Sequence, residues 1–349
     1  MTPNAMSAVE RPTTVTWDLT YACPLRCTHC YSESGRRPSR QLSQEDLLRV
    51  ADALISLRPG GVSLTGGEPM LVPGITAIAE RLSRAGIEVF LYTSGWRLGP
   101  EMVEELTDVV TQVNVSVDGA TPEVHDRIRG RAGSFARAME ALAVLDTAAG
   151  RRRARGGPPL RFGIDCVVTR SNFHQMDDLC RVVAPRFPEL RFVWFGAVVP
   201  SGLASRPGFE VDELLTDDQV RLLDSSRHRR HLRSLAPPSV EVVTTDNRAV
   251  QMHPDQVGSG GGFRAMLVEP DGGVRAMPMY EGTVGNLLTE DPETLWERAV
   301  ARWSDPFVVA TLSPVRTMRQ WAEATRRIDH HFGSDQVRAR IDRRPAYRP

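Results

Sequence analysis

The sequence predicts an α/β protein, a partial (β/α)6 TIM-like barrel followed by a smaller α+β C-terminal extension. Three observations lead there. Between residues 13 and 200, short runs rich in β-branched residues alternate about six times with amphipathic segments, the pattern of a parallel sheet sheathed in helices. Several of these runs end in glycine-rich or polar turns, where such folds collect their ligands. Past Pro200 the alternation stops, and Pro, Gly, Ser and charge take over. Six units fall short of the eight of a closed barrel, so the sheet is expected to stay open.

The elements follow in order. "TTVTWDLT" (13–20) reads as a strand running straight into a cysteine-rich loop. A helix over 42–57 starts from Ser43 as N-cap and carries apolar residues at helical spacing. "GGVSLTGGEPM" follows as a strand ending in a glycine turn. Helices at 73–85, 100–108, 134–148 and 174–184 then alternate with strands at 87–92, 112–117, 161–168 and 190–198, with "GRRRARGGPP" as a loop. Beyond Pro200 come a helix near 215–234, a hairpin over 263–287 turned at "PDGG", a helix over 291–303 and a terminal helix around 315–332 before a basic tail. The implied division is an N-terminal tail (1–12), a core barrel (13–205), a linker with a helical segment (206–260) and the extension (261–349).

With 349 residues and 41% apolar composition, the chain is large enough for one big domain with a smaller companion. Lys+Arg and Asp+Glu are both 43, so charge gives no general argument for nucleic acid or an anionic membrane as partner. No apolar run approaches the roughly 20 residues of a membrane span, and the N-terminus lacks the pattern of a secretory signal. Five cysteines in so long a chain do not make a disulfide framework, and a cytoplasmic location is expected.

Three of the five fall inside "YACPLRCTHCY" (21–31): Cys23, Cys27 and Cys30. The spacing suits a buried helical stripe, but Pro24 opposes a helix there, and Arg26, Thr28 and His29 are poor core neighbours. A zinc knuckle needs His29 as fourth ligand beside Cys30, and adjacent ligands strain a tetrahedron. An iron–sulfur cluster is the remaining reading. Cube-like clusters usually take four thiolates, so three leave one iron free for a ligand that is not protein.

The Cys-x3-Cys-x2-Cys spacing after a first strand, with "TGGEP" (65–69) ending the second, resembles the radical S-adenosylmethionine (SAM) enzyme superfamily. The resemblance implies one 4Fe–4S cluster on Cys23, Cys27 and Cys30, whose open iron binds the amino and carboxylate groups of SAM. Reductive cleavage then gives methionine and a 5′-deoxyadenosyl radical, which takes hydrogen from a C–H bond. The resemblance further implies that Gly66, Gly67, Glu68 and Pro69 form the turn at the SAM amino group, where Glu68 can accept from an ammonium. His29 stands where the family has an aromatic residue beside the adenine. Ser94 in "YTSG" replaces the usual Asn, and the resemblance implies that Ser116 and Asp118 of "NVSVDG", on one strand face, look toward the SAM ribose and carboxylate. "HDRIRGRAGSF" resembles the segment whose arginine meets the SAM carboxylate, which implies that role for Arg129, with Arg127 as the alternative; Asn172 in "VVTRSN" is expected either to touch SAM or to cap the next helix. Each also has a plainer reading as turn, loop packing, surface arginine or helix cap.

Residues 261–299 resemble the SPASM or twitch extension of the same superfamily, but no cysteine follows Cys180, so a degenerate extension without an auxiliary cluster is expected. Met277 and Met279 read as hairpin packing in preference to soft ligands. Cys166 and Cys180 are the only thiols left as hydrogen donors; Cys166 reads as buried and inert and Cys180 lies inside a helix, whereas Asp165, on the opposite parity of its strand, either faces the lumen near substrate or has a plain surface or hydrogen-bonded role. A flavodoxin or ferredoxin is the implied electron donor. A ribosomally made peptide in natural-product biosynthesis is the first expectation for substrate, with a separate leader-peptide recognition protein, since the segment before the barrel is short. Epimerisation, dehydrogenation or decarboxylation of a small sugar, nucleoside or amino acid is the alternative, and a non-catalytic iron–sulfur binding protein the rival from another class. "RRRAR" (151–155) and "RHRRH" (227–231) either dock an acidic leader or form solvated faces, and His330 and His331 read as helix-end residues.

Overall fold

The structure is a computed structural model that describes residues 10–257 and 264–348. Most of the expected tail (1–12) and the boundary expected at 260/261 lie outside the described residues. The first half alternates β1 (Thr14–Asp18), α1 (Gln44–Leu57), β2 (Gly61–Thr65), α2 (Ile75–Arg84), β3 (Glu88–Thr93), α3 (Pro100–Leu106) and β4 (Gln112–Ser116). It continues with α4 (Pro122–Arg129), α5 (Ser134–Ala154), β5 (Phe162–Val168), a helical segment from Phe173 to Arg186, and β6 (Phe192–Ala197). After two helices, Asp217–Asp224 and Ser226–Leu235, come β7 (Glu241–Thr245), β8 (Ala265–Val268), β9 (Gly273–Arg275) and β10 (Thr283–Asn286).

All the described strands join one sheet in the order β10-β9-β8-β1-β2-β3-β4-β5-β6-β7. Pairing is parallel from β8 through β1 to β7, and antiparallel at β8–β9 and β9–β10. The parallel part is therefore longer than the six strands read from sequence. β7 lies in the stretch read as linker, and β8, the first arm of the expected hairpin, extends the sheet on its other side.

The sheet is two-faced, and the parity of each strand says which side chain goes where. Val15, Trp17, Val62, Leu64, Val89, Leu91, Val113, Val115, Ile164, Cys166 and Val168 are buried in the core under the helices. Against them α1 packs Leu47, Val50, Ala51, Leu54 and Leu57, and α2 packs Ile75, Ile78, Ala79 and Leu82. Each buried Val, Leu or Ile among them contributes about 2 kcal/mol on leaving water. The opposite parity carries Thr16, Ser63, Tyr92, Ser116 and Asp165, all part-buried around a lumen.

Capping fixes the helix starts. Ser43 accepts from the Asp46 amide at 3.1 Å, as its place before α1 suggests. α5 outruns its expected end: Arg151, Arg152 and Arg153 continue the helix and pair with Glu104, Asp108 and Glu189 at 3.5, 2.8 and 2.7 Å. "RHRRH" likewise lies on a helix whose Arg229 donates to Thr244 of β7 at 3.1 Å, while His231 meets Asp177 at 2.9 Å. Cys180 is buried in a π turn (Leu179–Val183) that precedes Pro185, a residue with no N–H to continue a tight helix.

The stretch expected as a basic tail is folded. A helix at Asp335–Asp342 brings Arg340, and the chain beyond brings Arg344, onto the buried carboxylate of Glu33 at 3.0 and 2.7 Å. Arg340 also pairs with Glu281, which meets Arg275 at 2.9 Å. Met277 sits in the core and Met279 packs against it, as expected for hairpin methionines. His330 and His331 fall in the last turn of the helix Met318–Phe332, and His331 stacks on Phe307 with ring centroids 3.8 Å apart.

Candidate active site

β1 delivers the chain to the cysteine loop, and two neighbouring backbones clamp that loop. On one side the Gly67 amide donates to the Thr20 carbonyl at 2.6 Å and the Glu68 amide to Ala22 at 2.9 Å. A Cβ at Gly67 would sit 2.1 Å from the Ala22 carbonyl oxygen, so the approach that demands glycine is to the cysteine loop itself. On the other side the Arg26 amide donates to the Arg129 carbonyl at 3.0 Å and the Thr28 amide to Ile128 at 2.9 Å. Gly130 ends α4 at φ 67°, with space for a Cβ blocked 2.3 Å away by the Arg26 carbonyl.

Within this clamp, Cys23, Cys27 and Cys30 line one cavity at the carboxyl ends of the strands. His29, Gly66, Gly67, Ser94, Ser116 and Arg129 line it too. Leu25, Tyr31, Ser34, Thr65, Tyr92, Thr93, Asp165 and Val167 complete the wall. Of these, Tyr31, Thr65 and Tyr92 were not singled out from the sequence, although Tyr31 follows Cys30 directly and strand-end parity aims Thr65 and Tyr92 inward. Tyr31 donates to Asp18 at 2.6 Å, and burial pushes the Asp18 carboxyl up to about 6 against the pull of that bond.

Four expected ligand-facing residues stand behind the wall. Glu68 is fully buried, and its carboxylate accepts from Thr93 at 2.7 Å, the Ser94 amide at 2.9 Å, the Met70 amide at 3.2 Å and the Ser94 hydroxyl. Pro69 is buried in the short turn that follows. Asp118 is spent on the Val167 amide at 2.9 Å and on Arg129, its Oδ2 lying 2.7 Å from Nε. Asn172 stands at the N-cap position of the short helix that starts at Phe173, without a side-chain cap bond, and does not line the cavity; its amide donates to the carbonyls of Asp118 and Val167, both at 2.9 Å, stapling two strand exits together. For Glu68, Asp118 and Asn172, nearby backbone and side-chain partners engage the polar group before a ligand can. Arg127 does not line the cavity, whereas the buried Arg129 does and also approaches Cys27 Sγ at 3.9 Å.

Electrostatics follow from burial. It pushes the Cys23 thiol up to about 12 and the Cys27 thiol to about 11, the latter opposed by the Arg129 guanidinium. It lowers His29 to about 4, so the ring is neutral at physiological pH, with Nδ1 buried and unpartnered. Asp118 lies 3.6 Å from the other ring nitrogen. Among the described residues no three His, Cys, Asp or Glu side chains converge on a single ion. A cube-like cluster asks something different, because each of its thiolates binds a separate iron. Three thiols spread around one cavity, beside an orphaned ring nitrogen and a buried arginine, fit such a cluster with a polar ligand next to it.

A partial parallel barrel with three cysteines at the mouth of its lumen defines the class of protein. The chain matches the Radical SAM superfamily over residues 17–151. It is 32% identical over 307 residues to "Mycofactocin maturase MftC" of Mycobacterium ulcerans, covering 83% of this chain and 76% of that one. It is 31% identical to an "AdoMet-dependent heme synthase" of Methanosarcina barkeri, over 62% of this chain and 58% of the relative. A "PqqA peptide cyclase" of Ruegeria pomeroyi is also 31% identical, over 50% of this chain and 44% of its own. Among solved structures, Streptococcus suis SuiB bound to S-adenosylmethionine shares the fold, with a TM-score of 0.63 at 14% identity over 85% of this chain and 67% of that one. The protein belongs to the radical SAM superfamily, and it is a radical SAM enzyme, a family that implies SAM and a 4Fe–4S cluster.

Proposed function

We propose that this enzyme modifies a ribosomally made peptide in natural-product biosynthesis, using one 4Fe–4S cluster on Cys23, Cys27 and Cys30. The observation that carries the cluster assignment is the convergence of those three thiols on the same cavity as Gly67, Ser94 and Arg129. The peptide reading is supported by the relative named as a peptide cyclase. When bound, the cluster supplies the electron that cleaves SAM, and the resulting 5′-deoxyadenosyl radical removes hydrogen from the substrate. The chain's own residues prepare the place. Glu68 fixes the Thr93–Ser94 turn, Asp118 fixes Arg129, and the Gly67 and Gly130 contacts hold the cysteine loop rigid. Arg129 and the Ser94 and Ser116 hydroxyls, which border the cavity, hold the polar ends of SAM.

We assign one cluster per chain, because no cysteine follows Cys180 to ligate a second. The segment from β8 to the helix Pro292–Trp303 is then a degenerate SPASM or twitch extension. A flavodoxin or ferredoxin supplies the electron, a separate protein recognises the leader peptide, and the enzyme works in the cytoplasm. No helix among the described residues is long and apolar enough to cross a membrane. A small-molecule substrate is the competing reading, kept in view by the haem synthase relative.

The test is anaerobic. Reconstituted enzyme should hold about four irons per chain and release 5′-deoxyadenosine on addition of SAM and dithionite, and Cys27→Ala should release none. A fully loaded enzyme that yields no deoxyadenosine refutes the proposal.

A further inference from the structure

The lumen wall carries two groups that the cofactor reading does not use. Ser116, Asp165, Trp194 and Val243 are register partners across β4, β5, β6 and β7. Partners on adjacent parallel strands point the same way, about 4.8 Å apart, so Asp165 and Trp194 stand side by side. Asp165 lines the cavity that the three cysteines share. Trp194, one strand further on, is 38% exposed, the only tryptophan among the large apolar side chains exposed in the described residues.

Asp165 is part-buried, yet among the described residues its carboxylate accepts no hydrogen bond and joins no ion pair. Arg129, which lines the same cavity, is already engaged with Asp118 at 2.7 Å. Burial raises the Asp165 carboxyl to about 7, which is the mark of a carboxylate lacking a partner. An unpaired acid inside protein is costly unless a ligand completes it. An indole face beside it attracts positive charge through the ring quadrupole.

We infer that Asp165 and Trp194 form a subsite for a cationic side chain of the substrate, an ammonium or guanidinium, held beside the cysteine-lined cavity. The inference rests on the reading that this lumen receives a peptide. It makes a basic residue, at or next to the modified position, the feature the enzyme selects.

The holoenzyme, loaded with cluster and SAM, is titrated near pH 8 with two capped tripeptides, Ala-Lys-Ala and Ala-norleucine-Ala, which differ in charge at nearly equal length. The lysine peptide should bind at least about tenfold more tightly, or ~1.4 kcal/mol. Asp165→Asn should erase that preference, and Trp194→Ala should reduce it more than Trp194→Phe. Equal affinities overturn the subsite, as does failure of the lysine peptide to bind at about 10 mM. A preference that survives Asp165→Asn overturns it too, and loss of SAM affinity alone in that variant would place Asp165 on the cofactor. Deoxyadenosine release by the same holoenzyme is scored separately, so a wild-type enzyme that prefers lysine but cleaves no SAM refutes the proposed function and leaves the subsite standing.

Discussion

Glu68 has no exposed surface, and four donors meet its two oxygens. The motif that contains it was legible in the sequence; its partners were not, because Thr93 and Ser94 come from the end of the next strand. The same holds for Asp118, whose Arg129 lies on another element, and for Asn172. Residue type and spacing reveal that a position matters, while the distribution of hydrogen bonds decides whether it faces a ligand or holds up the residue that does. Replacing the Glu68 carboxylate by an amide puts an NH2 group against donors, with no charge to attract them. Glu68→Gln should therefore cost about 2 kcal/mol of stability in chemical denaturation, and it should weaken SAM binding through the displaced Thr93–Ser94 turn. A variant as stable as the parent would mean that the turn is held by something else.

At the scale of elements, α4 shows what local reading misses. Its last five residues fell within the motif segment 125–135 and the helix itself was not read, since only His125, Ile128 and Arg129 among its eight residues are buried. Yet it sets the cysteine loop, Gly130 and Arg129 together. β7 was hidden for a related reason: a five-residue edge strand in a Pro-rich, charged neighbourhood gives little periodicity to read. α5 was cut short because an arginine run after Gly150 resembles a loop until its acidic partners on other elements are known. His125 ties α4 to the fold, its Nδ1 accepting from the Asp118 amide at 3.1 Å. Burial lowers this histidine to about 4. Below its ordinary pKa of about 6.5 the unfolded chain takes up a proton that the folded chain refuses, so stability falls as pH drops from about 6.5 toward 4, by about 3 kcal/mol at most. His125→Asn keeps an acceptor and removes the titration. Thermal denaturation over that range should therefore show a shallower decline for the variant than for the parent, and parallel declines would show that His125 does not carry this share.

Across the whole molecule, the fold class was visible because β-branched runs and amphipathic segments alternate about six times between β1 and β6. What could not be read was how the C-terminal stretch returns to the site. Basic residues beyond Phe332 look solvated in sequence, but Arg344 is almost fully buried against Glu33, three residues after Cys30. Removing Arg344 takes one of two arginines from the buried Glu33 carboxylate and leaves Arg340 as its remaining ion-pair partner. Arg344→Ala should cost about 2 kcal/mol and reduce the iron retained per chain after identical reconstitution; unchanged stability and iron content would detach the tail from the site.

The account depends on a cluster with one iron that no protein side chain caps. The most direct test is electron paramagnetic resonance of anaerobically reduced enzyme, recorded before and after SAM is added. A reduced 4Fe–4S signal whose shape shifts on addition of SAM is the predicted result. Tetrahedral zinc in the purified protein, or a cluster signal indifferent to SAM, would contradict it.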